Sequence, residues 1–196
     1  MYRYKDIRLA IPPEVFHPGF FFSTQLLLQY INKLSLKGKK FLELGCGSGL
    51  IAITAAKKGA VVTATDINPV AVEALKKNTA QNNVALEIIT ADLFSTIPEQ
   101  QFDIIAINPP YYKKQPVTAK DYAWFCGENG EYFSKLFAGL SKYIHAGTEV
   151  LMVLFDGCDM EMIQVFAAQN NFVLDPVLRK KNALEENFIF KIERTA

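Results

Sequence analysis

Residues 102–112, FDIIAINPPYY, join an apolar run to an asparagine, two prolines and two tyrosines. The apolar half predicts a buried strand, but a strand has no need of Asn108, Pro109, Pro110 and Tyr111 after it. These residue types suit the activation of a planar nitrogen, which is a poor nucleophile because its lone pair is delocalised. The side-chain carbonyl of Asn108 and the main-chain carbonyl of Pro109 can accept hydrogen bonds from its two N–H groups. Two such acceptors would direct the lone pair at an electrophile and stabilise the positive charge that develops.

The other residues of this segment fit the same chemistry. Pro109 and Pro110 have a fixed φ and no N–H, so they hold the loop rigid, and Tyr111 can stack on a planar group. The pattern contains no general base, and a nitrogen that has reacted can lose its proton afterwards. The alternative is an ordinary turn at the end of a strand, since Asn-Pro is a common turn pair. A second proline and an aromatic residue directly after a strand disfavour that alternative.

A glycine-rich turn, ELGCGSG at residues 43–49, lies between another predicted strand and a predicted helix. Gly45 and Gly47 permit a tight turn and a close approach of a ligand to the backbone, and Gly49 lets the helix and strand pack closely. The following helix N-terminus presents free N–H groups to a polar or anionic ligand. The position between a strand and a helix strengthens what would otherwise be a weak pattern.

Acidic residues end the next two predicted strands. An acid at the position of Asp66 can accept from both ribose hydroxyls of a nucleoside, and Asp92 could accept from an adenine amino group. Ligands of doubly wound sheets bind at the carboxyl ends of the strands, so Gly45, Asp66, Asp92 and Asn108 should converge. Turn glycines and helix-capping aspartates are the alternative, above all for Asp92, because aspartate is a common turn residue.

Four segments resemble the S-adenosylmethionine-dependent methyltransferases of the small-domain class. That class includes the glutamine methyltransferases of translation release factors and enzymes that methylate exocyclic amino groups of RNA or DNA bases. The resemblance covers about residues 16–111 and implies a Rossmann-like, seven-stranded sheet with a reversed last strand, and S-adenosylmethionine as cofactor. The segments are FLELGCGSGLIAI at 41–53, ATDINPVAVEALKKN at 64–78, TADL at 90–93 and FDIIAINPPYY at 102–112.

Carried over residue by residue, the resemblance places the glycine turn under the methionine part of the cofactor, with Glu43 near its amino group. Asp66 would hold the ribose, while Asp92 and the Leu93 backbone would frame the adenine. Phe16 and Thr24 stand where relatives carry a segment that folds over the cofactor. The implied cofactor-binding set is Phe16, Thr24, Glu43, Gly45, Gly47, Gly49, Asp66, Ile67, Asp92, Leu93 and Asn108. The implied catalytic set is Asn108, Pro109, Pro110 and Tyr111.

The composition fits a single α/β enzyme domain. Half of the 196 residues are apolar, 21% are charged and the net charge is +1, which excludes the footprint of a strong non-specific nucleic-acid binder. The three cysteines are odd in number and match no metal spacing, so we expect a reducing compartment and no metal. The first residues lack the apolar core of a signal peptide, and no run is long enough to span a membrane. We therefore predict a cytoplasmic protein.

Strand-like runs alternate with helical patterns, which predicts an α/β fold with a doubly wound, mostly parallel sheet. Asn68 is placed to cap a helix that starts at Pro69. Residues 1–35 are predicted to form an N-terminal arm on the cofactor side of a methyltransferase domain, residues 36–196, within one structural domain. Strands are predicted over residues 40–44, 61–65, 86–90, 103–107, 149–155, 172–178 and 187–192. Helices are predicted over residues 50–58, from 69 to about 78, over 132–144 and over 161–168.

A long segment without a clear period, residues 111–128, separates the NPPY residues from the next helix. Loops of this length are uncommon in compact domains unless they have a function. Its lysines and aromatic residues could stack on a base or clamp a peptide, or the loop could be partly disordered with its aromatics tucked against the sheet. The residues concerned are Lys113, Lys114, Lys120, Tyr112, Tyr122, Trp124 and Phe125.

The sequence therefore predicts a methyltransferase that acts on a planar nitrogen. The substrate is either a glutamine side chain of a translation-related protein, which the near-neutral charge favours, or an exocyclic base amino group of rRNA or tRNA. Residues 1–35 show no resemblance to the N-terminal helical domain of bacterial release-factor methyltransferases, so we expect no counterpart of that domain to dock the substrate. We therefore expect substrate docking through the arm, the long loop or an activating partner subunit.

Two functions of other classes are alternatives to methyl transfer. A nicotinamide dehydrogenase is disfavoured because the third glycine follows the second by two residues instead of three, and because Asn-Pro-Pro-Tyr has no role there. A non-catalytic cofactor-binding scaffold remains open, although Asp66 and Asn108 are both present.

Overall fold

The computed structural model describes residues 1–182 and 185–195. Seven strands form one sheet: β3 (Lys40–Leu44), β4 (Val61–Asp66), β5 (Glu87–Thr90), β6 (Phe102–Ile107), β7 (Ile144–Phe155), β8 (Phe172–Lys181) and β9 (Glu186–Arg194). A small hairpin of β1 (Tyr2–Tyr4) and β2 (Ile7–Leu9) precedes it. The helices are α1 (Phe22–Ile31), α2 (Leu50–Lys57), α3 (Pro69–Gln81), α4 (Glu131–Leu140) and α5 (Met160–Gln169). Short 3₁₀ turns lie at Asp121–Ala123 and Ser141–Tyr143.

The strand order is β5-β4-β3-β6-β7-β9-β8. The five strands β5, β4, β3, β6 and β7 pair in parallel with their neighbours. Strand β9, the last strand in the chain, runs antiparallel to both β7 and β8. This arrangement confirms the predicted mostly parallel, seven-stranded sheet with a reversed last strand. The order reverses between β3 and β6, and in open α/β sheets the crevice at such a point is where ligands bind.

Alternation along the central strands builds a core on each face of the sheet. Ile105 and Ile107 of β6 pack into the same cluster as Phe133 of α4. Their neighbours Ile104 and Ala106 belong to the opposite cluster, together with the buried leucines of α1. Successive side chains of a strand point to opposite faces, so a strand buried on both faces is apolar throughout, as the pattern at residues 103–107 predicts.

Helix α3 begins as its capping residues predict and anchors the chain around the crevice. Asn68 Oδ1 accepts from the N–H of Val70 at 2.9 Å, and Pro69 occupies the first helical position. Asn78, fully buried in the same helix, accepts from Ala10 N at 2.8 Å and donates to Ser48 O at 2.9 Å. One side chain of α3 therefore holds both the N-terminal segment and the glycine turn in place.

Three elements differ from the sequence prediction. The arm contains a hairpin and the ten-residue helix α1, whose start at Phe21 has no side-chain cap and therefore gives no sequence signal. The helix predicted to run to residue 144 ends at Leu140, and Ile144 begins β7. The early start of β7 reflects an irregular register against β6 between Phe102 and Ile104, which an alternation pattern does not reveal.

Candidate active site

The glycine turn, residues 45–49, connects β3 to α2 and has a backbone that only glycine adopts easily. Gly47 has φ +52° and Gly49 has φ +86°. A Cβ at Gly49 would overlap the Leu75 side chain of α3, whereas a Cβ at Gly47 would meet only Val15 Cγ1, at 3.8 Å. Gly49 is thus required for packing, and Gly47 keeps a wall of the crevice open.

Asp66 braces this turn from the end of the neighbouring strand. Its Oδ2 accepts from the N–H of Gly47 at 2.8 Å, and its Oδ1 accepts from the N–H of Asn68 at 2.9 Å. Burial raises the pKa of Asp66, and these backbone hydrogen bonds oppose the increase. A carboxylate has about four acceptor positions, so two bonds leave further lone pairs for a ligand hydroxyl.

Glu43 is a buried carboxyl group at the floor of the turn, with 5% of its surface exposed. Its Oε2 accepts from the N–H of Ala52 in the first turn of α2 at 2.7 Å. Gly49, at the N-cap, has no side chain to satisfy such a group, so Glu43 supplies the missing cap from the preceding strand. Burial, with the negative charge of Asp66 as a smaller cause, raises the pKa of Glu43 well above its ordinary value.

Asp92 lies after β5 at the far side of the crevice. Its Oδ2 is 2.6 Å from Lys135 Nζ of α4, and the side chains of Lys135 and Asp92 are 61% and 40% exposed. An exposed ion pair of this kind is weak, so it does not prevent Asp92 from accepting from a ligand. The next residue, Leu93, is buried and has φ +53°, which turns the chain sharply at this edge.

Asn108 follows β6 and is held from two sides. Its Nδ2 lies 3.2 Å from Thr24 Oγ1 of α1, and its Oδ1 lies 2.5 Å from the Tyr111 hydroxyl. The Tyr111 ring packs edge-on against Phe155, with ring centroids 5.1 Å apart. Burial raises the pKa of Tyr111 above its ordinary value, so this group is a phenol at neutral pH. Pro109 is buried between Asn108 and Tyr111 and continues the rigid loop.

One cavity of about 340 Å³ joins these groups. That volume lies in the range of small-molecule sites in proteins, roughly 300–1,000 Å³. Apart from Gly49, every residue that the sequence singled out for cofactor binding or catalysis lines it: Phe16, Thr24, Glu43, Gly45, Gly47, Asp66, Ile67, Asp92, Leu93, Asn108, Pro109, Pro110 and Tyr111. The structure also adds lining residues that the sequence did not single out, among them Tyr132 and Lys135 of α4.

An aromatic cluster of Phe16, Phe21 and Trp124 joins the N-terminal arm to the long loop at the edge of the cavity. The Phe16 and Phe21 rings stack at 4.6 Å, and Trp124 lies 5.3 Å and 5.0 Å from them between centroids. Only Phe16 of the three lines the cavity. Trp124 gave a signal only as an aromatic residue in an unassigned loop, so its contact with the arm could not be predicted.

The long loop, residues 111–128, has defined local structure. Asp121 accepts from the N–H groups of Val117 and Thr118 at 3.0 and 2.8 Å. The Lys114 ammonium lies 4.9 Å from the centre of the Phe125 ring, and Lys113 pairs with Asp159 at 2.7 Å. The loop therefore presents the aromatic residues Tyr122 and Phe125 at the cavity, whereas none of its lysines lines the cavity.

Two cysteines line the cavity, Cys46 and Cys126, and burial raises the pKa of both thiols. Neither is activated as a nucleophile, because the thiolate is the reactive form and a raised pKa keeps the thiol protonated. Within residues 1–182 and 185–195, no group of three His, Cys, Asp or Glu side chains is placed to hold a metal ion. Within the same residues, no helix is long and apolar enough to cross a membrane.

Known proteins similar in sequence are methyltransferases. The family model described as "Methyltransferase small domain" matches residues 7–131. A Methanocaldococcus jannaschii protein whose name proposes a protein N5-glutamine methyltransferase is 36% identical over 149 residues, which is 73% of this chain and 73% of that protein. The ribosomal RNA small subunit methyltransferase C of Actinobacillus pleuropneumoniae is 34% identical over 114 residues, 57% of this chain and 34% of the relative.

Solved structures share the fold at lower sequence identity. A ribosomal protein L11 methylase from Lactobacillus delbrueckii has a TM-score of 0.72 at 24% identity and covers 97% of this chain and 86% of its own. The E. cuniculi Mtq2-Trm112 complex has a TM-score of 0.69 at 20% identity, with 93% and 99% covered. The T. thermophilus 16S rRNA methyltransferase RsmC, solved with AdoMet and guanosine, has a TM-score of 0.58 at 17% identity, with 93% and 43% covered.

The matched residues 7–131 include the glycine turn, Asp66, Asp92 and the NPPY segment. Apart from Gly49, the residues singled out in these segments line one cavity. With the sheet order and the relatives, these observations establish both the family and the cofactor. The chain belongs to the methyltransferase small domain family and is an S-adenosylmethionine-dependent methyltransferase.

Proposed function

We propose that this methyltransferase modifies the side-chain amide nitrogen of a glutamine in a translation-related protein. The observation that carries the proposal is that Asn108 lines the same cavity as Asp66 and the glycine turn. A cofactor at the turn and a planar nitrogen at Asn108 would then meet inside one crevice. Such preorganised proximity removes much of the entropic cost of a reaction between two molecules.

The residues that would hold the cofactor fit its polar groups. Gly45 and Gly47 leave the backbone of the turn open, since a Cβ at Gly45 would meet no atom within 4 Å. The lone pairs that Asp66 retains suit ribose hydroxyls, and Glu43 suits an amino group. Ile67, Asp92 and Leu93 would frame the base. When bound, S-adenosylmethionine supplies an electrophilic methyl group on a positively charged sulfur.

The chain's own contribution to the reaction is alignment and charge stabilisation. Asn108 Oδ1 and the Pro109 carbonyl would accept from the two N–H groups of the target amide, which turns its lone pair outward. The Tyr111 hydroxyl already donates to Asn108 Oδ1 and leaves that oxygen one lone pair for the substrate. Pro109 and Pro110 keep the two acceptors at a fixed separation, because their φ angles are locked.

A protein substrate is supported by three observations. The relative with 36% identity is named for glutamine methylation, and the aligned residues make up 73% of this chain and 73% of the relative. The E. cuniculi complex is described as responsible for methylation of the translation termination factor eRF1. The net charge of this chain is only +1, which offers little general attraction to a phosphate backbone.

An exocyclic amino group of rRNA or tRNA is the second candidate. The relative from A. pleuropneumoniae is named as a ribosomal RNA methyltransferase. At the cavity, Tyr122 and Phe125 of the long loop offer aromatic surfaces on which a base could stack. Lys113, however, is paired with Asp159, which reduces the basic character of this surface.

We further propose that residues 36–196 form the methyltransferase domain and that the arm, residues 1–35, packs on its cofactor side. Substrate docking would involve the arm, the long loop or an activating partner subunit. A partner is suggested by the E. cuniculi structure, which is a complex of two proteins. The proposed site of action is the cytoplasm, where translation proteins and ribosomal RNA are both available.

Incubation of the protein with methyl-labelled S-adenosylmethionine and cell extract tests the substrate class. The products are divided into protease-sensitive and nuclease-sensitive fractions, and the modified residue is identified by mass spectrometry. We expect label on a glutamine of a translation-related protein, and far less label in the same time when Asn108→Ala replaces the wild type. Label in RNA alone would overturn the glutamine proposal and support the second candidate.

A further inference from the structure

Thr24 stands in the first turn of α1, with only 4% of its surface exposed, and contacts the catalytic asparagine instead of a neighbour in its own helix. The helix that carries it is rigidly seated, because Leu26, Leu27 and Leu28 are fully buried in the core. The hydroxyl of Thr24 is therefore a fixed point to which a side chain from β6 can be tied.

The lengths of the two hydrogen bonds of the Asn108 amide, one to Tyr111 and one to Thr24, indicate which end of the amide faces each hydroxyl. The 2.5 Å contact with the Tyr111 hydroxyl is in the range of an O–H···O bond, whereas the 3.2 Å contact with Thr24 suits N–H···O. Oδ1 thus faces Tyr111 and Nδ2 faces Thr24. Since burial keeps Tyr111 protonated, it acts as a donor and favours the same orientation.

The orientation matters because an asparagine amide can rotate by half a turn. In the observed state its carbonyl side faces Tyr111 and can also accept from a substrate N–H. In the rotated state an NH₂ group would face the substrate nitrogen, and two donors would repel each other. A hydroxyl can donate or accept, so Tyr111 alone would tolerate the rotated amide by reversing its own role. With the second contact on the Nδ2 side, rotation requires Tyr111 and Thr24 to reverse their roles together.

We propose that Thr24 is a positioning residue whose hydroxyl holds the Asn108 amide in the orientation that presents Oδ1 to the target nitrogen. This inference rests on the proposed function of Asn108. It differs from the role implied by family resemblance, in which Thr24 contacts the cofactor. It also gives the N-terminal arm a part in alignment, because α1 lies within that arm.

Single-turnover methyl transfer tests the proposal with Thr24→Val, which keeps the shape of the side chain and removes the hydroxyl. The assay uses enzyme saturated with S-adenosylmethionine and the extract fraction that the wild type labels. We expect the rate to fall by about 3- to 10-fold, the effect of one lost hydrogen bond, with unchanged cofactor affinity. Thr24→Ser should restore most of the rate. Thr79→Val, another buried helical threonine outside the cavity, is the matched control.

A weaker cofactor affinity at an unchanged saturated rate would overturn the proposal in favour of a cofactor contact. A second readout does not depend on activity. In the free 22.0 kDa protein, the side-chain NH₂ signals of Asn108 can be assigned by their loss in Asn108→Ala. We expect slow hydrogen exchange of this pair in the wild type and Thr24→Ser, and faster exchange in Thr24→Val. Equal exchange in all three would exclude the hydrogen bond, even if no methyl acceptor is found. Slow exchange without methyl transfer would instead count against the proposed function alone.

Discussion

The carboxylate of Asp66 and the backbone N–H of Gly47 are joined by a hydrogen bond of 2.8 Å. This bond connects the end of β4 to the glycine turn after β3. An acid that we propose as a ribose ligand therefore also shapes the turn under the rest of the cofactor. Both the proposed ribose contact and the shape of the glycine turn therefore depend on the Asp66 side chain, so its removal should affect cofactor binding in two ways.

Asp66→Ala should weaken S-adenosylmethionine binding by about 1.5–3 kcal/mol, the cost of losing hydrogen bonds to a charged acceptor. Asp66→Asn retains one acceptor oxygen, so we expect an intermediate loss. Calorimetric titration of the three proteins measures the effect. Unchanged affinity in the alanine variant would show that Asp66 does not bind the cofactor.

Gly47→Val should abolish detectable cofactor binding, because its side chain would extend into the cavity from a backbone with φ +52°. Gly38→Val is a matched control, since Gly38 has φ +75° and a Cβ there would meet no atom within 4 Å. Both variants carry backbone strain, but only the first fills the cavity. If Gly47→Val binds the cofactor as tightly as Gly38→Val does, a side chain at residue 47 does not obstruct the cofactor and the prediction is wrong.

Glu43 should make the stability of the fold depend on pH. Its pKa is raised in the folded state, so the folded protein holds this proton more tightly than the unfolded chain does. The resulting stabilisation is complete below the ordinary pKa of glutamate and is lost as pH rises through the higher folded value. Glu43→Gln carries no titrating group and can still accept from Ala52.

We therefore expect the unfolding free energy of Glu43→Gln, relative to the wild type, to increase as pH is raised from acid towards neutrality. Urea unfolding at a series of pH values measures this difference. The same variant should bind S-adenosylmethionine less tightly if Glu43 holds the amino group. A stability difference that does not change with pH would show that Glu43 has the same pKa in both states.

Trp124 offers a direct signal of cofactor binding, because it is the only tryptophan in the chain and packs on Phe16, which lines the cavity. Its emission should change when S-adenosylmethionine is added. Phe16→Ala should weaken binding by about 0.5–1.5 kcal/mol, the value of an aromatic pair. Phe20→Ala, which removes a largely exposed ring outside the cavity, should not. If the wild type, Phe16→Ala and Phe20→Ala give similar titration curves, the Phe16 ring does not contribute to cofactor binding.

The central sheet and most of the candidate site could be predicted because each part has a local signal. The strand at residues 40–44, the glycines after it, and Asn68 before Pro69 are all recognisable within a few residues. Helix α1 could not be predicted in this way. It is apolar around much of its surface and has no capping residue at Phe21, so neither its period nor its start is evident.

The contacts that support the site were equally hidden, because they join distant parts of the chain. Thr24 and Asn108 are 84 residues apart, and Asn78 reaches Ala10 across 68 residues. A motif can indicate the asparagine that we propose as catalytic, but only the folded chain reveals which hydroxyls contact it. Similarly, the sequence predicts Asp66 as a ligand-binding acid. Its hydrogen bond to the glycine turn could not be predicted, because it depends on how β3 and β4 are aligned in the sheet.

The rate of methyl transfer by Asn108→Ala under single-turnover conditions tests the central claim most directly. Enzyme saturated with labelled S-adenosylmethionine is mixed with the fraction that the wild type methylates, and cofactor affinity is measured in parallel. Loss of one preorganised acceptor should slow transfer by about 10²–10³-fold while cofactor affinity changes little. Asn170→Ala, at the end of α5 and outside the cavity, should transfer at the wild-type rate. Transfer by Asn108→Ala at close to the wild-type rate would contradict the assignment of the NPPY segment as the catalytic centre.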